Sequence, residues 1–302
     1  MAIQTVRANI NGTWHNLTYN AESGAWEATL NAPGATSYNQ PGGYYNVQVE
    51  ATNTAGTQAT ADGSTLSGLQ LVVKETVAPV ITIISPSNGA RVTNSQQPVV
   101  FNVVDEAGGS GVDLDSVTVN LDGSPVPASQ ITHSEITNGY SFTYTPASAL
   151  GNGSHTVTVN ASDNDGNAAA EKSTTFTVDT IAPSLNVTSP QDGLITNSAS
   201  VTVAGTTNDA TSSPVTVSIS LNGADQGAVT VGSDGSFSKS VTLADGENTI
   251  VVTATDQAGL STSVTVHATL DTSVPVIQSA TITPNPVDAG ATMVISVVIT
   301  EG

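Results

Sequence analysis

Carboxylates are the side chains in this sequence whose type and spacing could do chemistry. The run Asp163-Asn164-Asp165-Gly166-Asn167 places oxygen-bearing side chains at alternate positions, as the first half of a calcium-binding loop does. A helix–loop–helix calcium loop also needs Gly at its sixth position and Glu at its twelfth, where this chain has Ala168 and Thr174. The run is therefore not such a loop, and its simplest interpretation is a polar hairpin turn between two strands.

No other residue pattern in the sequence supports catalysis. The four histidines are scattered, and we predict that they are solvated strand or loop residues: His15, His133, His155 and His267. The sequence has no nucleophile elbow, phosphate loop or closely spaced Cys/His set, so we predict that the chain is not an enzyme. Paired carboxylates on the surface loops of thin sandwiches would not build the deep cleft of a glycosidase.

Composition limits the partners that the chain can have. Five Lys and Arg face 25 Asp and Glu, which gives a net charge of −20 over 302 residues. Such a chain lacks the cationic surface that binds nucleic acid or an anionic membrane. No apolar run is long enough to span a bilayer, the N-terminus has no signal-peptide pattern, and there is no cysteine for disulfides or thiolate metal sites.

The elements that must position the carboxylates are short β-strands. Apolar and polar residues alternate with a period of two, as in Val215-Thr216-Val217-Ser218-Ile219, and Asn-Gly or Asp-Gly turns separate the runs. This pattern predicts β-sandwiches with about seven strands per 100 residues. In the best-defined stretch we predict strands at 80–84, 98–105, 116–122, 130–134, 140–145, 155–162 and 173–178.

A stiff junction recurs along the chain and indicates a tandem array. Glu75-Thr76-Val77-Ala78-Pro79 is repeated as Asp179-Thr180-Ile181-Ala182-Pro183 and as Asp271-Thr272-Ser273-Val274-Pro275. Proline fixes its own φ and biases the preceding residue towards extended backbone, so each copy joins one strand to the next. We predict units at 1–77, 78–180, 181–272 and 273–302.

A second repeated motif lies at the turn after the penultimate strand of each unit. Ala254-Thr255-Asp256-Gln257-Ala258-Gly259 aligns with residues 161–166 and with 51–56. Together with the Asp-Thr-x-x-Pro junction, this motif resembles the bacterial Ig-like tandem repeats. The resemblance covers essentially the whole chain and implies an all-β string of immunoglobulin-like sandwiches forming an extended rod. Such repeats occur in surface adhesins, secreted enzymes and phage tail or virion proteins.

Ig-like wiring suggests a second interpretation of the carboxylates. It brings the second–third and sixth–seventh strand loops to the end where the preceding unit attaches, and crowded carboxylates repel unless they are solvated or bind a hard cation. The hypothesis is therefore an inter-domain Ca²⁺ site at each junction, and Ca²⁺ is the only cofactor it invokes. The ligands would be Glu75, Asp105, Glu106, Asp113, Asp115, Asp163 and Asp165 at the first junction; Asp179, Asp209 and Asp256 at the second; Asp271 and Glu301 at the third.

The two ends of the chain resemble the two halves of one sandwich. Asn11-Gly12 aligns with Asp122-Gly123, so residues 1–77 lack the first two strands of a unit, and residues 273–302 supply only those two strands. One hypothesis is complementation between chains, giving a head-to-tail homopolymer. The facing residues would be Ile282, Val294, Ile295, Val297 and Ile299 against Val6, Ile10, Trp14, Trp26, Val47 and Val49. The alternatives are an array cut at a loop and closure within one chain.

The sequence supports three functional hypotheses. The first is a structural protein of a phage tail, virion or filament that contacts a surface. The second is the stalk of a bacterial surface adhesin, and both place the chain on a virion or outside a cell. The third is a carbohydrate-binding module, which would need an exposed planar strip of aromatics such as Trp14 and Trp26; we expect these residues instead to be core or seam.

Overall fold

The computed structural model describes residues 2–301, which fall into two compact units, Met1–Val178 and Asp179–Gly302. We call them unit 1 and unit 2 and describe each by itself. Both are built almost entirely of β-strands, which confirms the all-β, tandem Ig-like prediction. No helix among residues 2–301 has the length and apolarity needed to cross a bilayer.

Unit 1 begins with a single five-stranded sheet that has no full partner sheet. Its order is β3-β2-β1-β5-β6, and we call it the head sheet. Val6 and Ala8 are buried on one face, whereas Arg7 lies between them on the other. The strands of this region are β1 Ile3–Ile10, β2 Thr13–Asn20, β3 Ala25–Glu27, β4 Tyr45–Asn46, β5 Gln48–Asn53, β6 Gln58–Ala61 and β7 Gln70–Leu71, with β4 paired to β7.

The rest of unit 1 is a complete sandwich. One sheet has the order β13-β14-β10-β8 and the other β12-β11-β15-β16-β9. The strands are β8 Val80–Ser85, β9 Arg91–Val92, β10 Val99–Val104, β11 Val112–Leu121, β12 Ser124–Pro125, β13 Ile131–Ile136, β14 Gly139–Tyr144, β15 Gly153–Asp163 and β16 Lys172–Val178. All seven predicted strands are present; β11 begins earlier than predicted, and the two-residue β9 and β12 were missed.

Unit 2 repeats this sandwich and adds a hairpin. Its sheets have the orders β17-β19-β22 and β18-β24-β23-β20-β21. The strands are β17 Ser184–Ser189, β18 Leu194–Thr196, β19 Ser200–Asn208, β20 Thr216–Leu221, β21 Ala224–Asp225, β22 Ser236–Thr242, β23 Gly246–Thr255 and β24 Ser261–Leu270. The last two strands, β25 Val276–Thr283 and β26 Val294–Thr300, pair only with each other and are called the tail hairpin. Three short 3₁₀ turns, Pro41–Gly43, Ser67–Leu69 and Ala128–Gln130, complete the chain.

Each complete sandwich has its own core of β-branched and aromatic side chains. In β10 the alternate residues Val99, Phe101 and Val103 are fully buried, and Phe101 stacks on Phe142. Valine, isoleucine and phenylalanine suit this position because their side chains pack well on a half-buried pleated surface. Among residues 2–301, buried clusters of this size form only in these two sandwiches, and not around the head sheet or the tail hairpin.

Tight turns at equivalent places fix the strand register in all three regions. Asn11-Gly12, Asp122-Gly123 and Asn222-Gly223 all have positive φ at both residues. This backbone matches the twist of a two-residue hairpin and is open to glycine, asparagine and aspartate. The Asn-Gly and Asp-Gly turns predicted from the sequence are confirmed at these positions.

Candidate metal centre

Three aspartates meet at one end of the unit 2 sandwich. Asp179 precedes β17, Asp209 follows β19 and Asp256 follows β23. One carboxylate oxygen of each lies within 4.8 Å of those of the others. We call this group the aspartate cluster. The predicted set at the second junction is therefore brought together by the fold.

Backbone amides hold each of these carboxylates by one oxygen. Asp209 Oδ1 accepts hydrogen bonds from the amides of Thr211 (2.8 Å) and Ser212 (2.6 Å). Asp256 Oδ1 accepts from the amides of residues 258 and 260, and Asp179 Oδ1 from the amide of residue 181. These bonds fix the side chains in short turns, so the second oxygen of each is presented at a defined place.

Two of the three remaining carboxylate oxygens of the cluster are buried and lack partners. Asp179, Asp209 and Asp256 are only 0%, 7% and 6% exposed, and Asp179 Oδ2 and Asp256 Oδ2 accept no hydrogen bond. The hydroxyl of Ser212, which is 0% exposed, also lacks a partner. Buried carboxylates at this spacing repel one another, and leaving buried oxygens unsatisfied is costly.

A hard divalent cation would relieve both costs at once. Ca²⁺ binds carboxylate, hydroxyl and carbonyl oxygens at about 2.3–2.6 Å. Oxygens that share one such ion must lie within roughly twice that distance of one another, and the aspartate cluster meets this condition. The donor set contains neither sulfur nor imidazole, which fits Ca²⁺ or Mg²⁺ better than Zn²⁺.

Unit 1 has a related but different group at the equivalent end of its sandwich. Glu75, Asp105 and Glu106 bring one carboxylate oxygen each within 4.8 Å of the others, and we call them the glutamate cluster. Glu75 Oε1 accepts the amide of Ser110, and Asp105 Oδ2 accepts the amide of Gly111 at 2.7 Å. Glu75 Oε2, Asp105 Oδ1 and Glu106 Oε2 are buried without partners.

Glycine at position 109 makes room for this second group. A Cβ atom there would lie 2.6 Å from Asp105 Oδ2 and 2.8 Å from Glu75 Oε2. The neighbouring carboxyl of Glu75, together with burial and Asp105, raises the pKa of Glu106 to about 7. The glutamate cluster can therefore relieve its repulsion by holding a proton as well as by binding a cation.

Asp163 was predicted as a ligand but is already satisfied. It aligns with Asp256, yet both of its oxygens accept hydrogen bonds from Asn167, Oδ1 from the amide and Oδ2 from the side-chain Nδ2, each at 2.8 Å. In unit 2 the corresponding residue is Leu260, which offers only its amide. Asn167, which is not a candidate ligand, thus keeps the carboxylate of Asp163 out of the glutamate cluster.

The other predicted ligands at the first junction also lie outside the glutamate cluster. Asp165 Oδ2 accepts hydrogen bonds from Thr36 Oγ1 at 2.5 Å and from the amide of Glu75 at 3.0 Å. It therefore ties the region of the head sheet to the complete sandwich within unit 1. Asp113 accepts the amide of Asp115 in a local turn. Among the described residues, the glutamate cluster includes neither these two carboxylates nor that of Asp115.

The third junction does not form a cluster within the described residues. Asp271 is exposed and accepts hydrogen bonds from the amide and hydroxyl of Ser273. Glu301 is also exposed and follows β26 directly. In unit 2 a third carboxylate comes from the loop after β23, and the tail hairpin by itself does not supply an equivalent loop.

The predicted complementation residues are not all on the expected faces. Strand alternation places Val6, Ile10 and Val49 on one face of the head sheet, and Trp26, paired with Tyr19, on the same face, whereas Val47 lies just before β5 and outside any strand. Trp14 lies on the opposite face, with the Arg7 guanidinium 4.3 Å from its ring centre. In the tail hairpin, Ile282, Ile295, Val297 and Ile299 share a face, whereas Val294 points to the other side. The assignments of Trp14 and Val294 were wrong.

The aromatic residues do not form the flat strip that a carbohydrate-binding face would need. Trp14 is 38% exposed, against the expectation that it is core, but Arg7 covers one side of its ring. The rings of Tyr19 and Trp26 meet at 58°. Nothing in this geometry favours the third functional hypothesis.

Two histidines, His15 and His155, are half-buried rather than solvated as predicted. His155 is half-buried and contacts Asp122 Oδ2 at 2.7 Å through Nδ1 and the Gly151 carbonyl at 2.8 Å through Nε2. Burial lowers the pKa of His155, but the bonds to Gly151 and Asp122 outweigh it, so that the pKa is raised. Across residues 2–301, neither carboxylate cluster includes a histidine.

Two protein families match the two complete sandwiches. Residues 84–180 match the family described as bacterial Ig-like domain. The resemblance to bacterial Ig-like domains is therefore confirmed for residues 84–180. Residues 183–272 match the family described as glucodextranase, domain B, which is a non-catalytic accessory domain.

A curated relative and several solved structures are similar to parts of this Ig-like tandem. Bacillopeptidase F of Bacillus subtilis (strain 168) is 32% identical over 154 residues, covering 49% of this chain but only 10% of that protein. The fibronectin(III)-like modules of Clostridium thermocellum CbhA have 18% identity and a TM-score of 0.40, covering 63% of this chain and 94% of theirs. Titin domains A168–A170 have 14% identity and a TM-score of 0.42, covering 89% and 93%.

Proposed function

We propose that this chain is a non-enzymatic structural spacer whose Ig-like sandwiches are stabilised by Ca²⁺. The observation that carries the proposal is the aspartate cluster of unit 2, where three buried carboxylates converge and two of their oxygens, together with a serine hydroxyl, lack partners. A bound cation would cross-link the segment before β17 to the loops after β19 and β23. This end of the unit 2 sandwich would thereby become more rigid.

The proposed place of action is outside the cytoplasm, on a cell surface or a virion. Calcium sites of extracellular modules bind with dissociation constants of about 10⁻⁴–10⁻³ M, a range that free calcium reaches outside cells. The net charge of −20 also favours a cation-rich, solvated setting. An adhesin stalk and a virion component remain the two forms of this proposal, and the parent gene's neighbours and leader sequence would separate them.

Calorimetric titration of the full chain with CaCl₂, after removal of metal with chelator, tests the proposal. We expect the wild-type chain to bind Ca²⁺ and Asp209→Asn to weaken the tightest site by about tenfold or more, as losses around metal ligands commonly do. Asp225→Asn is the matched control, because Asp225 is an exposed aspartate in β21 of the same sandwich. Equal titrations for wild type and Asp209→Asn would contradict the proposal.

Thermal unfolding gives a second reading of the same variants. A ligand that binds only the folded state at 100 times its dissociation constant stabilises it by about 2.7 kcal/mol. For a domain of this size, each kcal/mol shifts the melting temperature by roughly 4–8 °C. We therefore expect saturating Ca²⁺ to raise the melting temperature of the wild-type and Asp225→Asn chains by several degrees, and that of Asp209→Asn much less.

A further inference from the structure

The tail hairpin exposes an apolar face that is buried in the complete sandwiches. Ile295, Val297 and Ile299 of β26 align with Val99, Phe101 and Val103 of β10. Ile299 is 58% exposed, whereas Val103 is 0% exposed. The tail hairpin therefore has the residues of a sandwich core without the sheet that would cover them.

The tail hairpin also has the strand register of a sandwich's first two strands. Ile277 pairs with Ile299, as Ile81 pairs with Val103 in unit 1 and Leu185 with Thr207 in unit 2. All three pairings contain a bulge or register irregularity. The tail hairpin is thus already in the conformation that it would need within a complete domain.

The head sheet shows the opposite deficiency. Val6 and Ala8 on one face of it are buried, but Val49 on the same face is only half-buried, and no buried cluster comparable to those of the two sandwiches forms there within residues 2–301. The residues that should cover this face in an Ig-like sandwich come from its first two strands and from the strand paired with them.

A strand edge beside this face is also left without its partner. Gly24-Ala25-Trp26 aligns with Gly235-Ser236-Phe237 at the start of β22, and Leu30 then aligns with Val241. In unit 2, β22 continues to Thr242 because it pairs with β19 along its whole length. In the head, β3 ends at Glu27 and residues 28–33 lie outside any strand. Leu30 is 38% exposed, whereas Val241 is 2% exposed.

We propose that the tail hairpin of one copy completes the head sheet of a second copy. In the register of β19 and β22, β26 would add antiparallel to residues 25–31 of the second copy. Its Ile295, Val297 and Ile299 would then pack against Leu30 and Val49, over the incompletely covered part of the head sheet of the second copy. The contact is heterologous, so repetition of it joins copies head to tail.

The loops at the end of such a composite domain support the same register. Asn53 Oδ1 accepts the amides of residues 55 and 57, as Asp256 Oδ1 accepts those of residues 258 and 260. Asp271 accepts the amide of residue 273, as Asp179 accepts that of residue 181. The composite would therefore place Asp271, Glu301 and Asn53 of the second copy where unit 2 has its aspartate cluster. Any cation effect on the joint rests on the proposed function, but strand addition itself does not.

Sedimentation velocity of the full chain over a concentration series tests the association. We expect wild type to form dimers and longer species as concentration rises, both in chelator and in Ca²⁺. Val297→Asp should abolish association, because its side chain lies on the face that would be buried. Val298→Asp is the matched control, since Val298 lies on the other face and aligns with Asn102. A wild-type chain that stays monomeric at all concentrations in both buffers overturns the proposal, whatever the Ca²⁺ titration shows.

Mixing two defective chains keeps the test independent of misfolding. Val49→Asp damages the receiving face and leaves the tail hairpin intact, whereas Val297→Asp does the reverse. Each variant alone should be monomeric, and an equimolar mixture should form a dimer that grows no further. A mixture that stays monomeric would overturn the proposal. So would a Val297→Asp chain that forms polymers by itself as wild type does.

Discussion

The aspartate cluster of unit 2 and the glutamate cluster of unit 1 occupy equivalent ends of two similar sandwiches, yet they differ in composition. Asp179 and Asp209 align with Glu75 and Asp105, but the third member is Asp256 in one case and Glu106 in the other. The aspartate aligned with Asp256 is Asp163, which Asn167 fully satisfies. We therefore expect the cation affinities of the two clusters to depend also on residues that are not ligands.

The two clusters also have different ways to lower their repulsion. In the glutamate cluster, the pKa of Glu106 is raised to about 7, so a proton can be retained near neutral pH. In the aspartate cluster, Asp179, Asp209 and Asp256 are more deeply buried, and two of their oxygens have no partner. We expect unit 2 to bind a cation more tightly than unit 1.

Leu260→Asn should give unit 2 the arrangement of unit 1, with the largest effect on binding. The new amide would donate to Asp256 Oδ2, as Asn167 does to Asp163, and would remove one carboxylate oxygen from the site. We expect the affinity of the tightest Ca²⁺ site to fall by about tenfold. Calorimetry of this variant beside Leu260→Met, which keeps an apolar side chain, measures the difference. An unchanged affinity in Leu260→Asn would break the comparison.

Asn167→Leu is the reciprocal change in unit 1 and should have a smaller effect. It frees Asp163 Oδ2, which can then act as a ligand beside Glu75 and Asp105. We expect the weak cation binding of unit 1 to become tighter by severalfold, which calorimetry in an Asp209→Asn background would isolate from unit 2. Asn160→Leu, on β15 of the same sandwich, provides a control for the loss of an asparagine. No gain in affinity would show that Asp163 does not reach the site.

Glu106→Gln should change how the stability of unit 1 depends on pH, with the smallest effect of the three. Because the folded-state pKa of Glu106 is raised from 4.5 to about 7, the folded chain binds more protons than the unfolded chain between these values. The contribution of the protonated Glu106 carboxyl to the free energy of unfolding is therefore lost as pH rises from about 4.5 to about 7. In chelator, the wild-type melting temperature should fall more between pH 5 and about 8 than that of Glu106→Gln. Glu135→Gln, which removes an exposed carboxylate, should behave like wild type.

The sequence predicted the fold and the aspartate cluster because both follow from repeated patterns. Period-two alternation and Asn-Gly turns give the strands, and aligned motifs place Asp179, Asp209 and Asp256 at one end of a sandwich. The satisfaction of Asp163 by Asn167 was not predictable in this way, since it depends on where one amide nitrogen points within a turn. Trp14 and Val294 were assigned to the wrong faces because the prediction relied on their large apolar side chains and not on their positions in the strand alternation.

The most direct test of cation binding by the aspartate cluster is a crystal structure of the chain grown with Tb³⁺ or Ca²⁺ and measured for anomalous scattering. We expect an anomalous peak within about 2.3–2.6 Å of oxygens of Asp179, Asp209 and Asp256. We expect a weaker peak, or none, at Glu75, Asp105 and Glu106. The absence of a peak at the aspartate cluster at saturating metal, or a peak at the glutamate cluster alone, would contradict the proposed function.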